Sequence, residues 1–316
     1  MSGNRGFWHT FGLYLLPFAA VWLGGGWLVA AGLVIVALVA RWAIAQSQWI
    51  APEPLPELQL DSIAASHFVE KVRWSLDRLG VDYVEKPAAG ALGAFLSART
   101  VPVLRFRTGM VRSSIGNSAE ILRYLYARYL PGSGSAAEFL RPTPERVALE
   151  ADIDAIGVLL QRWVYFHIGG DRDLVLQAWG LRDPQTPAWQ RIAIQLTFPL
   201  LHGMIARTFR LSAANHSRVV ARLHDALRPF ETRLKATGRY LLGAEQPDYC
   251  DFAFAAINGL WRSPAGYGGG RADHVMLEGQ QLPPAMSGEI EALADEFPAV
   301  AAFIDRLYQE ERNTHA

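Results

Sequence analysis

The feature that most constrains this chain is a stretch of 35 consecutive residues, from position 6 to position 40, without Asp, Glu, Lys or Arg. A long, uncharged and largely apolar run is typical of a membrane segment. One straight helix through it would be roughly 50 Å long, whereas the hydrocarbon core of a bilayer is roughly 30 Å thick. Three glycines at positions 24–26 divide the run. We therefore expect residues 1–45 to form a transmembrane anchor, either a single span from about Trp22 or a hairpin of two short spans, 7–23 and 27–44.

The charges at the two ends of this run predict its orientation. Arg5 and Arg41 lie on the same side of the membrane in the hairpin, and basic residues favour the cytoplasmic face, which places the folded domains in the cytoplasm. The run is longer than the roughly 7–15 residues of a signal-peptide core, so we expect no cleaved leader. Residues 46–56, with proline at every second position from 52 to 56, are expected to form a stiff, extended linker.

Charge and cysteine content exclude several classes of protein. Thirty basic and thirty acidic side chains balance, so no overall field attracts nucleic acid, and we expect no nucleic-acid partner. The single cysteine, Cys250, excludes an intramolecular disulfide and a Cys-x-x-Cys redox or zinc pair. Its position in an apolar helical pattern predicts a buried thiol that takes no part in chemistry.

Residues 57–130 alternate between strand and helix patterns and predict an α+β domain. The order is strand, helix, strand, two further strands joined by a turn at Thr108-Gly109, and a last helix. The expected strands are 58–63, 83–85, 101–106 and 110–112, and the expected helices are 66–79 and 117–129. Apolar residues recur at spacings of three and four in the first helix, so we expect Glu70, Arg73 and Asp77 to be exposed.

Residues 131–316 show no convincing strand pattern and predict an all-helical domain. The expected helices are 144–167, 188–209, 217–236, 248–261 and a last one near 289–310. Asp248 and Asp251 are expected to cap the fourth of them. The glycine-rich residues 266–270 lack the Lys-Ser/Thr of a phosphate loop, so we expect a flexible surface excursion.

Two sets of side chains in this helical region have structural and functional interpretations. The first set is aromatic and either packs in the core or lines an apolar pocket. It comprises Trp163, Tyr165, Phe166 and Trp179. The second set is histidine, and its spacing matches no metal-ligand pattern, so we expect no metal site. It includes His167, His202, His216 and His224.

The sequence resembles the glutathione transferase superfamily at several points. Residues 71–76 read Lys-Val-Arg-Trp-Ser-Leu, Val101-Pro102 follows, and residues 117–125 read Asn-Ser-Ala-Glu-Ile-Leu-Arg-Tyr-Leu. In the helical region the pattern Gly-x3-Pro-Asp-x2-Asp from position 243 to 251 is similar to a helix cap of the same family. The matches cover most of residues 58–308. The resemblance implies a thioredoxin-like domain followed by an all-helical domain.

The resemblance also implies glutathione as co-substrate. The family's first helix opens on a Ser or Cys that faces the thiol, which implies that Ser66 is the catalytic residue. The Val-Pro, with a cis bond in the family, pairs with the extended tripeptide, and the helix start at Ser118 suits its γ-glutamyl carboxylate. The residues implied to bind glutathione are His67, Val101, Pro102, Asn117 and Ser118.

Other interpretations of these residues remain open. Ser66 is equally well explained as a plain N-cap, Asn117 with Glu120 as an ordinary capping box, and His67 as an exposed structural residue. Asn117 stands where the family usually has an acidic residue, which removes a charge that would meet the ammonium group of the ligand. Ser66 and Val69 stand where thiol-exchange relatives carry cysteines, so redox chemistry is not expected.

Two functions fit these observations. One is a membrane-tethered transferase that conjugates glutathione to an apolar electrophile dissolved in the lipid bilayer, using a serine-type site and commonly acting as a homodimer, as relatives do. The alternative is a membrane-anchored scaffold or interaction protein that keeps the fold without catalysis. Val101-Pro102 with Ser118 favours the first, and Asn117 favours the second.

Overall fold

The computed structural model describes residues 15, 17–19, 21–24, 26–46, 56–87, 101–183, 186–273, 275–277 and 282–312. The chain divides into two compact units, Met1–Glu57 with Phe106–Ser113, and Leu58–Arg105 with Ser114–Ala316. The second unit holds most of the sheet-based part and the whole helical part.

In the first unit, helix α1 spans Gly26–Gln46, over the second of the two expected spans. Many of its apolar side chains are exposed, among them Trp27, Leu28, Val29, Ile35, Val36, Leu38 and Val39. Within the part of the chain that the structure describes, no helix combines the length and the apolar character that crossing a membrane requires. The expected transmembrane helices are therefore not confirmed. Residues 1–14 and linker residues 47–55 lie outside the described residues.

A four-stranded sheet forms the first layer of the α+β part. Its strands are β1 (Glu57–Ser62), β2 (Tyr83–Pro87), β3 (Val103–Thr108) and β4 (Val111–Gly116), in the spatial order β2-β1-β3-β4. Strands β1 and β2 are parallel, with Leu58 opposite Tyr83. Alternate side chains of β1, including Leu58 and Leu60, are buried, which is the period-two pattern of a half-buried strand.

Helices α2 (His67–Leu79) and α3 (Ser118–Ser133) complete this part. They confirm the expected thioredoxin-like order of strands and helices. The predicted exposure of α2 is wrong, however, because Glu70 and Arg73 are fully buried and Asp77 is half-buried. Helical residues from the other part of the chain cover this face, and sequence periodicity within α2 carries no information about them.

The remaining described residues contain helices and turns but no strand. The helices are α4 (Pro144–Ile168), α5 (Arg172–Ala178), α6 (Ala188–Phe209), α7 (Ala213–Thr237), α8 (Tyr249–Arg262), α9 (Pro284–Glu296) and α10 (Pro298–Leu307), with short 3-10 segments Gly134–Leu140 and Tyr267–Gly270 and a terminal π-helical turn Tyr308–Arg312. The expected last helix is in fact two, since Phe297 leaves helical geometry and Pro298 opens a new helix.

Helix α8 lies at the centre of the second unit, packed against α2, α4 and α10. The Trp74 ring of α2 stacks on the Phe252 ring of α8 at 5.3 Å between centroids. Trp163 and Trp179 are also buried, which confirms the core interpretation for these two members of the aromatic set.

The cap of α8 confirms the sequence prediction. Asp248 accepts a hydrogen bond from the backbone N–H of Cys250 at 2.7 Å, and Asp251 accepts one from the N–H of Asp248 at 2.9 Å. Asp251 also accepts from the N–H of Leu241 at 2.7 Å. The two aspartates thereby satisfy three buried backbone donors and fix the chain that leads into the helix.

The glycine-rich segment is not the surface excursion that its composition predicts. Tyr267 and Gly268 are buried, and Gly268 has a positive φ of 73°. A Cβ on Gly268 would lie 2.7 Å from Ala272 Cβ, and one on Gly269 would lie 2.7 Å from Arg312 Nη2. Glycine is therefore required here by backbone conformation and by close packing against buried charged side chains.

Candidate functional site at one edge of the sheet

Three chain segments implicated by the sequence end or begin at the same edge of the sheet. Strand β1 leads directly into α2, so Ser66 lies beyond the carboxyl end of β1. Asp61 near that end pairs with Arg105 near the start of β3, while Glu57 at the other end pairs with Arg107. Strand β3 is therefore antiparallel to β1 and begins at the edge where β1 finishes.

The hairpin of β3 and β4 brings the third segment to this edge. Only two residues separate the two strands, so β4 is antiparallel to β3 and ends beside the start of β3. Helix α3 opens immediately after β4, at Ser118. The starts of α2, β3 and α3, which carry Ser66, Val101-Pro102 and Asn117-Ser118, thus share one sheet edge, called here the site edge.

Ser66 is the N-cap of α2 and is half-buried. Its hydroxyl accepts a hydrogen bond from the backbone N–H of Val69 at the long distance of 3.4 Å. The loop before it is held by a turn, in which the Ser66 N–H donates to the carbonyl of Ile63, and by the buried guanidinium of Arg73, which donates to the carbonyl of Ala64 at 3.1 Å. The loop contacts therefore hold Ser66 in place, while its hydroxyl makes only a weak capping hydrogen bond.

His67 is buried rather than exposed, which corrects the sequence expectation. Its Nε2 lies 3.0 Å from the carbonyl oxygen of Gly157 on α4. Burial lowers the pKa of His67 to about 4, so the ring is neutral near pH 7 and donates from Nε2. A Cβ on Gly157 would lie only 3.1 Å from this nitrogen. His67 thus joins α2 to α4, and its assignment to the ligand site stays a prediction.

Asn117 and Ser118 form the start of α3. Asn117 has a φ of 73°, a left-handed conformation that Asn tolerates better than most residues, and its side chain is exposed. Its Oδ1 accepts a hydrogen bond from the N–H of Ala119 at 3.0 Å. Ser118 is buried and begins the helix, whose first-turn N–H groups carry the positive end of the helix dipole.

The Val101-Pro102 peptide bond is cis, as in the family that the sequence resembles. Pro102 is buried and Val101 is half-buried, directly before the first residue of β3. Val101 therefore lies at the site edge, before the strand that runs between β1 and β4.

Beside the site edge lies a buried charged network that sequence reasoning missed. The Lys71 ammonium of α2 is 2.7 Å from Glu150 and 2.7 Å from Asp154, both on α4. On the other side of α2, Arg73 pairs with Glu85 at 2.5 Å, and Arg312 pairs with Glu70 at 2.9 Å. The partners are up to 242 positions apart, and local patterns give no signal for such pairs.

The unreactive role expected for Cys250 has structural support. The side chain is buried, and its Sγ lies 3.3 Å from the carbonyl oxygen of Arg146. Burial, followed by the charge of Asp248, raises the pKa of the thiol well above its usual value. The protonated thiol is a poor nucleophile at neutral pH.

A cluster of three side chains lies away from the site edge. The sequence indicated no metal-ligand spacing for these residues. His167, His216 and Glu289, called here the His-His-Glu cluster, lie on α4, α7 and α9 with their nearest ligand atoms within 4.8 Å of one another. Glu289 is 122 positions from His167 and 73 from His216, so a search for short spacings does not find the cluster.

Comparison with known proteins gives a family match for the sheet-based part. Residues 60–133 match the family model described as glutathione S-transferase, N-terminal domain. No curated protein matches the chain.

Several solved structures are similar to this chain, at low identity and with TM-scores below 0.5. A glutathione transferase from Pseudomonas putida, with one glutathione disulfide bound per subunit, is 15% identical and has a TM-score of 0.48, over 87% of this chain and 96% of that chain. A family member from Pseudomonas fluorescens with two glutathione bound is 15% identical, with a TM-score of 0.47 over 86% and 96%. The nitrogen regulation fragment of the yeast prion protein Ure2p is 18% identical, with a TM-score of 0.47 over 83% and 96%.

The matched segment contains Ser66, the Val101-Pro102 bond and the start of α3, so it carries the whole site edge. Residues 60–133 are therefore similar to a glutathione S-transferase N-terminal domain.

Proposed function

We propose that this protein binds glutathione at the site edge and conjugates its thiol to apolar electrophiles. The observation that carries the proposal is the meeting of two helix starts and the start of β3 at one edge, within a segment that matches the glutathione S-transferase N-terminal family. Each of the three has a chemical counterpart in an extended, anionic, thiol-bearing tripeptide.

Each of the three segments suits a different part of glutathione. The hydroxyl and N–H of Ser118, in the first turn of α3, and the positive end of the helix dipole suit the γ-glutamyl carboxylate. The backbone of Val101 offers an edge for pairing with the extended peptide. The hydroxyl of Ser66 and the N–H groups of α2 face the thiol, where they stabilise a thiolate.

Asn117 is expected to weaken the binding of glutathione. Its neutral amide replaces a carboxylate that would attract the ammonium group of glutathione, while its Oδ1 still caps the N–H of Ala119. Charged hydrogen bonds contribute roughly 1.5–3 kcal/mol, so we expect binding weaker than with an acid here by about one to two decades. Asn117 is also the observation that favours the alternative function, a scaffold of the same fold without catalysis.

We further propose that residues 1–45 hold the protein at a membrane, with the folded part on the cytoplasmic side. Two observations support this proposal. The sequence has a long uncharged run, and apolar side chains of α1 such as Trp27 and Leu28 are exposed rather than packed in a core. The tether would then hold the protein at the membrane in which an apolar electrophile dissolves.

Glutathione titration of the purified full-length protein tests the ligand proposal. The wild type should bind glutathione at millimolar concentration or below, Ser118→Ala should weaken binding by about one to two decades, and Asn117→Asp should strengthen it. Absence of binding by the wild type at millimolar glutathione would overturn the enzyme proposal in favour of the scaffold.

Membrane fractionation tests the tether separately. Protein that resists extraction with alkaline carbonate supports integral attachment, and protein that leaves with high salt alone contradicts it. Removal of residues 1–45 should release the rest of the chain from membranes.

A further inference from the structure

The His-His-Glu cluster has the composition and spacing of an ion-binding site. His167 Nε2 lies 3.2 Å from Glu289 Oε2, and His216 Nε2 lies 2.8 Å from Glu289 Oε1. Ligands placed tetrahedrally at about 2.1 Å from a zinc ion are about 3.4 Å apart. The ligand atoms of the three side chains lie within 4.8 Å of one another, so shifts of up to about 1 Å would bring one atom of each into coordination distance of one ion.

Neighbouring aromatic side chains fix the orientation of the three groups. The Trp163 indole N–H donates to Glu289 Oε2 at 2.6 Å. The ring of Phe166 stacks on that of His216, at 3.8 Å between centroids and 11° between planes, and Trp163 packs edge-on against His167 at 5.0 Å. Such outer contacts are what holds metal ligands in place in known sites.

The cluster also has an open side. The side chains of His167 and His216 are nearly buried, whereas that of Glu289 is 31% exposed. An ion can enter past the carboxylate, and a water molecule can take a fourth position, as in sites with three protein ligands.

We propose that His167, His216 and Glu289 bind one divalent transition-metal ion of the zinc class, cross-linking α4, α7 and α9. Two imidazoles and one carboxylate suit Zn²⁺ and its neighbours, whereas Mg²⁺ and Ca²⁺ prefer oxygen ligands alone. Binding replaces the two His–Glu hydrogen bonds by coordination bonds, and the ring protons move to Nδ1. The site uses no residue of the site edge, so it is independent of glutathione binding.

A second His–Glu pair on α7 and α9 provides an internal control. His224 Nδ1 lies 2.7 Å from Glu296 Oε2, but the other oxygen of Glu296 accepts from Arg228 at 3.2 Å. A guanidinium thus occupies the place that a second histidine has in the cluster, and it would repel an ion. This pair should not bind metal.

The test is titration of chelator-treated full-length protein with Zn²⁺, followed by calorimetry, and with Co²⁺, followed by its visible absorption. We expect one ion per chain in the wild type and the intense absorption of tetrahedral Co²⁺. His167→Ala, His216→Ala and Glu289→Gln should each weaken binding about 100-fold or more, Trp163→Phe about 10-fold to 100-fold, and His224→Ala not at all.

Glu289→Gln keeps an acceptor for the Trp163 N–H, and far-UV circular dichroism checks that each variant is folded. The proposal is overturned if the wild type binds no stoichiometric Zn²⁺, because the cluster would then be only a hydrogen-bonded contact. It is equally overturned if folded Glu289→Gln binds Zn²⁺ as tightly as the wild type, or if His224→Ala loses binding as His216→Ala does.

Discussion

Helices α2 and α8 pack against each other at the centre of the second unit, yet they are built on different principles. Helix α8 has an almost wholly apolar buried body and begins with a closed, reciprocal cap of two aspartates. Helix α2 buries Lys71 and Arg73 and begins with one long hydrogen bond to Ser66. The reciprocal cap of α8 leaves no side-chain group available to a ligand, so the start of α8 has a structural role. The single, long capping bond of α2 leaves the Ser66 hydroxyl available, so the start of α2 can have a functional role.

The comparison predicts that the body of α2 depends on charge pairing. Lys71→Met removes the buried cation that pairs with both Glu150 and Asp154 and leaves Glu150 with Arg123 as an ionic partner. We expect a loss of about 3–5 kcal/mol in the free energy of unfolding, measured by urea denaturation.

Lys235→Met is the matched control for this change. Lys235 pairs with Glu231 at 2.9 Å but is 61% exposed, so its loss should cost under about 1 kcal/mol. Equal effects of the two variants would show that the charges of α2 are not held in a low-dielectric interior.

The sequence predicted α8 better than α2, because the two helices depend on different kinds of contact. The helix over 248–261, the burial of Cys250 and the cap formed by Asp248 and Asp251 were predicted from local signals, and all three were confirmed. The buried charges of α2 depend on partners such as Glu150 and Arg312, which are distant in sequence, so their burial was missed.

The site edge shows the same division between local and distant information. The positions of Ser66, Val101-Pro102 and Ser118 at element starts follow from strand and helix patterns and from the family resemblance. The contact of His67 with Gly157 does not, because it depends on how α2 and α4 pack. The His-His-Glu cluster was missed since its members come from three separate helices.

The cap of α8 provides the next test. Asp251→Ala leaves the N–H groups of Asp248 and Leu241 buried without an acceptor, at a cost of roughly 1–3 kcal/mol each before relaxation. We expect a total loss of about 2–4 kcal/mol. Asp251→Asn keeps one acceptor oxygen and should lose about half as much, so equal losses would contradict the capping role.

The His67 contact predicts a pH dependence of stability. The pKa is about 4 in the folded chain and about 6.5 when unfolded, so the unfolded chain binds more protons between these values. Stability is therefore fully present above pH 6.5 and falls as the pH is lowered toward 4, by on the order of 1–3 kcal/mol. His67→Gln keeps an N–H donor without titrating. Its unfolding free energy should fall less over this range, and a variant that parallels the wild type would exclude His67 as the source.

The smallest expected effect on stability is at the start of α2, and it is the one that bears on function. The Ser66 hydroxyl accepts from Val69 N–H at 3.4 Å, against 2.7 Å for the Asp248 cap, so Ser66→Ala should cost under about 1 kcal/mol. Thr143→Ala is a matched control, because Thr143 caps α4 through a similarly long bond of 3.3 Å. If Ser66 stabilises a thiolate, its loss should raise the pKa of bound glutathione and slow conjugation with little change in affinity, whereas Thr143→Ala should leave the thiol unchanged. Titration of thiolate absorbance measures this difference, and an unaltered thiol pKa in Ser66→Ala would leave the residue as a helix cap alone.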